Sequence, residues 1–159
     1  MSFLSPAAFF ASFQSNAHNL SFYTIPAAWA LAIAPHFYAV SLSKGKFTNS
    51  SPRQYLADII KKENKTADDK KYVRAEAANA NGFENLAFFA SAVIAGNIAG
   101  VPAHELNALS FGYLFSRAIF NYLYITVEDE TKATLRSASF LAGIGMIFTL
   151  FIRAGNKAF

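Results

Sequence analysis

The chain has 159 residues, of which 53% are apolar and only 15% are charged. This length fits one domain, and the low share of charge is unlike that of an ordinary soluble domain. Because the chain has no cysteine, disulfides, zinc–thiolate sites and a cysteine nucleophile are excluded, and any thiol in its chemistry must come from a ligand.

The formal net charge is +4, and nine of the 14 Lys and Arg residues lie between Lys44 and Arg74. Four carboxylates interrupt this run, and apolar stretches flank it on both sides. Such a pattern is typical of a cytosolic loop in a membrane protein. No motif that reads a nucleic-acid groove is present, so nucleic acid is not a predicted partner.

Residues 1–19 carry Phe and Leu among Ser, Pro and Asn, without a basic start or a clear cleavage site. This predicts a segment at the membrane interface rather than a removable signal peptide.

The first predicted span is residues 20–42, which contain no Lys, Arg, Asp or Glu. As a helix it would extend about 34 Å, enough to cross a hydrocarbon core of about 30 Å. Pro26 and Pro35 are expected to kink it. In the polar loop 43–73, residues 52–62 predict a short surface helix whose apolar side is Tyr55, Leu56, Ile59 and Ile60.

A further helix is predicted to begin near Asp69 and to continue into a second span at 76–99, which Gly100-Val101-Pro102 ends. The third span is 105–127, followed by a charged turn at 128–130. The fourth span is 134–152, where Gly143 and Gly145 permit close helix approach.

These elements predict an all-α, single-domain integral membrane protein with four transmembrane helices in one bundle. The positive charge of loop 43–73 predicts that this loop lies in the cytosol and that both termini lie on the opposite side of the membrane. A soluble four-helix bundle would need a polar face on each helix, and residues 88–94 and 140–151 offer almost none.

Ionisable residues inside apolar spans are expensive, at about 2.5–3.5 kcal/mol each on insertion scales, and they mark candidate functional sites. Glu84 and Arg117 are two such residues. Other polar side chains join them at helical spacing in the same half of the predicted bundle. The candidate set is Arg74, Asn81, Glu84, Arg117, Asn121, Tyr124, Arg136 and Ser137.

Arginine binds carboxylates, glutamate binds an ammonium group, and Asn, Ser and Tyr form neutral hydrogen bonds. The set therefore predicts a pocket for a small zwitterion with several carboxylates, and a basic residue there could lower the pKa of a bound thiol. A structural interpretation also remains, in which Glu84 and Arg117 form an interhelical ion pair, Tyr124 anchors the interface and Arg136 snorkels. No cluster has metal-ligand spacing.

Three segments of the chain resemble the MAPEG family, the membrane-associated proteins of eicosanoid and glutathione metabolism. RAEAANANGFENLAFF resembles the family signature, with Asn81 three residues before Glu84. SRAIFNYLYI resembles the third-helix segment, with Arg117 and Tyr124, and TLRSASF resembles the start of the fourth helix, with Arg136 and Ser137.

The resemblance implies a homotrimer that binds glutathione as co-substrate between subunits and a lipophilic substrate from the bilayer. Arg136 would stabilise the glutathione thiolate with Ser137 and Tyr124 beside it, and Glu84 would hold the amino group. Asn81 and Arg117 would complete the glutathione site, with Arg117 partly structural. Arg74 and Asn121 are assigned to the same site from their helical spacing in the polar set. Three positions where relatives carry a basic residue or histidine are instead Ala77, Ala80 and Phe120, which leaves fewer cations for the glutathione carboxylates.

The first functional hypothesis is a glutathione transferase or peroxidase in the endoplasmic reticulum or another intracellular membrane. The alternatives are a non-catalytic lipid-binding protein and an isomerase or cyclase that uses the same pocket without glutathione.

Overall fold

The computed structural model describes residues 18–158, except for the side chains of residues 130–133. A short 3₁₀ turn, Ser21–Tyr23, leads into the first of the helices, which are α1 (Thr24–Leu42), α2 (Pro52–Lys61), α3 (Ala67–Ile98), α4 (Ala103–Thr126) and α5 (Glu130–Ala158). The described part of the chain has no strand, in agreement with the all-α prediction. The interfacial segment predicted for residues 1–19 lies outside the described residues, apart from its last two.

The four long helices, α1, α3, α4 and α5, pack against one another. The long helices α3 and α4, which follow each other in the chain, run antiparallel, since the end of α3 meets the start of α4, where a Cβ on Gly96 would lie 2.7 Å from Leu106. The main core joins α3, α4 and α5 around Phe89, Val93 and Leu150. A smaller core joins α1, α2 and α3 where the predicted loop meets the bundle.

The ends of α3 explain why the chain turns where it does. At the start, the Thr66 hydroxyl accepts from the Asp69 N–H and the Asp69 carboxylate accepts from the Thr66 N–H, a capping box. At the end, Gly100 adopts a φ of 73° and the Val101 N–H donates to the Gly96 carbonyl at 3.0 Å. This left-handed termination needs glycine. The predicted end of this helix is therefore confirmed, whereas its start at Ala67 precedes the predicted Asp69.

Gly82 and Gly143, like Gly96, lie where two helices touch. A Cβ on Gly82 would lie 2.8 Å from the Ala32 Cβ, and one on Gly143 would lie 2.6 Å from the Ser116 Oγ. A Cβ on Gly145 would meet no atom within 4 Å. The predicted close approach is thus confirmed for Gly143 and wrong for Gly145, and Gly82 holds α1 against α3.

Helix α2 ends one residue before the predicted Lys62. Ile59 is buried, and the Tyr55 ring packs edge-on against Tyr72 of α3. Ile60 was expected on the same apolar side but is 54% exposed, because it lies about 100° around the helix from Ile59.

Within residues 18–158, two helical stretches are long and apolar enough to cross a membrane, namely Ser21–Leu42 and Thr134–Ala158. These correspond to the first and fourth predicted spans. Helices α3 and α4 have 32 and 24 residues, which is ample length. Their charged and amide side chains, Glu84 and Arg117 among them, lower their mean hydropathy. The four-span layout stays a prediction.

Candidate functional site

The site begins with a missing backbone hydrogen bond in α1. Pro35 lies inside this helix and has no N–H, so the Leu31 carbonyl has no intrahelical donor. The Asn121 side-chain amide of α4 donates to that carbonyl at 2.8 Å. Asn79 of α3 donates to the next carbonyl, that of Ala32, also at 2.8 Å. Asn121, predicted to bind the cofactor, therefore uses its NH₂ group to hold α1.

Asn79 was missed by the sequence interpretation. Pro35 gives no signal for it, because the proline frees the Leu31 carbonyl, whereas the Ala32 carbonyl that Asn79 contacts lies four residues before His36, which has an N–H.

Arg117 lies at the centre of what we call the inner cluster, which consists of Asn81, Arg117 and Asn121. Arg117 is only 5% exposed, and its Nη2 donates to the Asn81 Oδ1 at 2.6 Å. The guanidinium carbon lies 4.1 Å from the centre of the Phe120 ring. Because the amide oxygen of Asn81 faces Arg117, its NH₂ group is turned to the other side.

The predicted ion pair between Glu84 and Arg117 is wrong. Glu84 is exposed, and no hydrogen bond or ion pair joins it to any residue within 18–158 whose side chain is described. The helix geometry gives the reason. Three residues after Asn81, at about 100° each, the side chain of Glu84 is rotated by about 60° from the face that meets Arg117.

Tyr124 and Arg136 form a second group, which we call the outer pair. The Arg136 guanidinium carbon lies 4.5 Å from the centre of the Tyr124 ring, a cation–π contact between α4 and α5. Arg136 is half-buried, and no described carboxylate lies within ion-pair distance of it. Ser137, the next residue, is exposed. The structure thus brings two of the three predicted catalytic residues into contact and leaves the third beside them.

An aromatic path connects the two groups. The Phe120 ring lies under Arg117 and 5.3 Å from the Tyr124 ring, which in turn contacts Arg136. Phe140 of α5 packs against Phe120 at 5.8 Å. Phe120 therefore packs between Arg117 and the ring that contacts the second cation, Arg136.

Arg74 forms no hydrogen bond with the described side chains of either the inner cluster or the outer pair. Its Nε donates to the Ile125 carbonyl at 3.0 Å and its Nη2 donates to Glu128 at 2.8 Å. This hydrogen bond and the positive charge of Arg74 lower the pKa of the Glu128 carboxyl. Arg74, predicted to bind the cofactor, ties the end of α4 to the start of α3.

A further polar contact was not predicted. The Nδ1 of His36 in α1 lies 2.8 Å from a carboxylate oxygen of Glu76 in α3. One turn before Glu76, the Tyr72 hydroxyl is buried and has no hydrogen-bond partner of good geometry among the described residues. Burial, and then the charge of Glu76, raise the pKa of Tyr72 to about 12. The sequence signal for the contact between His36 and Glu76 was a lone histidine in the first predicted span and a carboxylate at the start of the second.

The model of the MAPEG family matches residues 19–156. Neither the curated proteins nor the solved structures give a match. The matched stretch includes both the inner cluster and the outer pair, and it spans α1 to α4 and nearly all of α5. The chain therefore belongs to the MAPEG family, a membrane family that includes glutathione transferases and peroxidases.

Proposed function

We propose that this protein is a membrane-bound glutathione transferase or peroxidase that acts on a lipophilic electrophile, with Arg136 stabilising the glutathione thiolate. The observation that carries the proposal is the state of Arg136, a half-buried cation that rests on the Tyr124 ring and has no described carboxylate partner.

The contact with the Tyr124 ring is a cation–π contact and not a hydrogen bond, so it uses none of the N–H groups of the guanidinium as hydrogen-bond donors. The five N–H donors of the guanidinium lie in its plane, so they remain directed at whatever lies beside it. A thiolate at this edge would accept charge-assisted hydrogen bonds, which lower the pKa of a thiol. We assign the roles of further donors to the hydroxyl of Tyr124, whose ring contacts Arg136, and to that of Ser137, the next residue in the chain.

The rest of glutathione would lie toward Asn81 and Glu84. The NH₂ group of Asn81, turned away from Arg117, can donate to a carboxylate or a peptide carbonyl. The exposed Glu84 carboxylate can accept from the amino group.

An unpaired carboxylate at membrane depth is costly, so Glu84 needs a cover other than lipid. A second copy of the chain supplies that cover if the site lies between neighbouring subunits of a homotrimer. In this arrangement the lipophilic substrate enters from the bilayer, and loop 43–73 lies in the cytosol.

The residues would act as follows in a transferase. The thiol releases its proton to water as Arg136 stabilises the anion; the sulfur electron pair then bonds to the electrophilic carbon, and the displaced group leaves with the electrons of its broken bond. With a hydroperoxide, the thiolate attacks oxygen and breaks the O–O bond, and the alkoxide takes a proton from water. A second glutathione then reduces the sulfenic acid, releasing water and forming the disulfide.

A non-catalytic lipid-binding protein is the second candidate, and Arg74 favours it. This arginine is bound to Ile125 and Glu128, and Ala77 and Ala80 supply no cation one turn later. The carboxylates of glutathione would therefore have fewer cationic partners at this site than the sequence alone predicts.

The test measures the ultraviolet absorbance of the thiolate while glutathione is added to the purified protein in nanodiscs. We expect a signal in the wild type, none in Arg136→Ala, and a conjugation rate lower by about 10²–10³-fold in that variant. Arg153→Ala is the matched control, because Arg153 lies on the same helix and pairs with Glu105 at 3.2 Å far from the outer pair.

Absence of the signal in the wild type would overturn the transferase proposal. Retention of lipid without turnover would then support the lipid-binding candidate, whereas turnover of a lipid in glutathione-free buffer would support an isomerase or cyclase.

A further inference from the structure

A small cavity lies between α1, α3 and α4, beside Leu31, whose carbonyl lacks a helical donor because of Pro35. It has a volume of about 10 Å³. Its lining includes Tyr113, Arg117 and Asn121, and the remaining lining residues are Ala28, Leu31, Ala32 and Gly82. This is about the size of one water-sized probe, so the space suits a single water and nothing larger.

Two groups on the cavity wall have unused hydrogen-bonding capacity. The Oδ1 of Asn121 is buried and accepts no hydrogen bond from the described residues, although its NH₂ group donates to Leu31. Arg117 has five N–H donors, and one protein acceptor among the described residues, Asn81, takes a hydrogen bond from it. One buried acceptor and one buried, donor-rich cation therefore line the same water-sized space without bonding to each other.

We propose that this cavity binds one ordered water, which accepts a hydrogen bond from Arg117 and donates one to the Oδ1 of Asn121. A buried water requires two to four polar partners, and these two groups meet the minimum. Leaving the Asn121 oxygen unpaired would incur the desolvation penalty of a buried polar atom, which the water removes.

The bound water completes an unbroken polar chain across three helices. It runs from the Leu31 carbonyl through Asn121, the water and Arg117 to the Asn81 oxygen. The Leu31 carbonyl, which Pro35 leaves without a helical donor, is thereby coupled to the orientation of the Asn81 amide. This inference does not rest on glutathione, because both ends of the chain are protein groups.

Hydroxyl-radical footprinting with X-ray pulses tests the water, because a bound water generates the oxidant next to buried side chains. Tyr113 lines the cavity and is 2% exposed, whereas Tyr72 lies outside it and is 1% exposed. We expect Tyr113 to be oxidised several-fold faster than Tyr72 in the wild-type protein. Equal rates would overturn the proposal.

Two variants make the comparison specific. Asn121→Leu removes the acceptor and fills the cavity, so oxidation of Tyr113 should fall to the rate of Tyr72. Asn79→Leu is the matched control, since it deletes the equivalent hydrogen bond to α1 from a residue that does not line the cavity, and Tyr113 should still be oxidised. Loss of the signal in both variants, or in neither, would contradict a water bound by Asn121.

A structure that resolves ordered waters provides an independent check that needs no variant. Density within hydrogen-bonding distance of both Arg117 and the Asn121 Oδ1 is expected. An empty cavity between well-ordered side chains, or a direct hydrogen bond between the two residues, would overturn the inference.

Discussion

The inner cluster and the outer pair are both built around an arginine on an aromatic ring, yet they differ in what else those arginines contact. Arg117 is buried, and its charge is directed at a neutral amide, Asn81, that belongs to the same chain. Arg136 is half-buried, and the Tyr124 ring is its principal neighbour. One cation is used within the fold, and we propose that the other binds a ligand.

The difference follows from the cost of burying charge. A guanidinium deep in a bundle is tolerated when protein groups or water satisfy its donors, and such a group holds helices together. A guanidinium at the edge keeps its donors free, and it can change its partner when a ligand arrives. We therefore expect that removing the buried arginine mainly lowers stability, whereas removing the arginine at the edge mainly lowers ligand binding.

Removing the two arginines one at a time tests this difference most directly. Arg117→Ala leaves a void and an unpaired Asn81 oxygen in the bundle, so we expect the free energy of unfolding to fall by about 3 kcal/mol. Arg136→Ala loses a surface-proximal cation–π contact, so its free energy of unfolding should fall by less than about 1 kcal/mol. Reversible unfolding in mixed micelles measures both.

The catalytic readout should show the opposite order. Thiolate formation at saturating glutathione should persist in Arg117→Ala and disappear in Arg136→Ala. Arg117→Met, which keeps most of the volume, separates the void from the lost hydrogen bond and should regain part of the stability. Equal stability losses in the two alanine variants would show that the inner cluster is no more structural than the outer pair.

A second prediction concerns the way α1 is held to the inner cluster. Pro35→Ala restores the N–H that the Leu31 carbonyl lacks, so Asn121 is no longer its required donor. Asn121→Ala should therefore destabilise the Pro35→Ala protein by about 1 kcal/mol less than the wild type. A double-mutant cycle of unfolding free energies measures this coupling. If the two changes in the free energy of unfolding were strictly additive, Pro35 and Asn121 would be energetically independent.

The sequence predicted the helices well because local rules determine them. Apolar runs, a Gly-Val-Pro stop and a proline-headed surface helix gave their positions to within a few residues, apart from the longer ends of α5. The contact between Tyr124 and Arg136 was also within reach, since both lie near the turn that joins their helices.

The partners of the remaining polar side chains were not predictable in this way. Glu84 and Asn81 are three residues apart, and a rotation of about 60° decides that one faces a neighbouring helix and the other leaves the bundle. Arg74, near the start of α3, donates a hydrogen bond to Glu128, which follows the end of α4. Asn121 donates to the Leu31 carbonyl, which Pro35 leaves without a helical donor. Such pairings depend on the rotation of whole helices against each other, which the spacing of residues along one helix does not specify.

Tyr72 tests the rule that buried polar groups in this bundle are satisfied, because its hydroxyl is buried without a partner in the described part of the chain. Tyr72→Phe removes that hydroxyl and keeps the ring that packs on Tyr55. At neutral pH we therefore expect the variant to be as stable as the wild type, or more stable by up to about 1 kcal/mol.

The pH dependence gives this last prediction its sign. Tyrosine has an ordinary pKa of 10.0, and burial together with the nearby charge of Glu76 raises the pKa of Tyr72 in the folded protein to about 12. Below the ordinary value both states keep the proton. Between the two values the unfolded chain loses it while the folded chain retains it, so the free energy of unfolding of the wild type falls as pH rises through this window. Equilibrium unfolding across that range should show a shallower fall in Tyr72→Phe, with the other tyrosines as a common background. Parallel curves would mean that the Tyr72 hydroxyl has a partner or a path to water, and that the bundle leaves no polar group unsatisfied at this position.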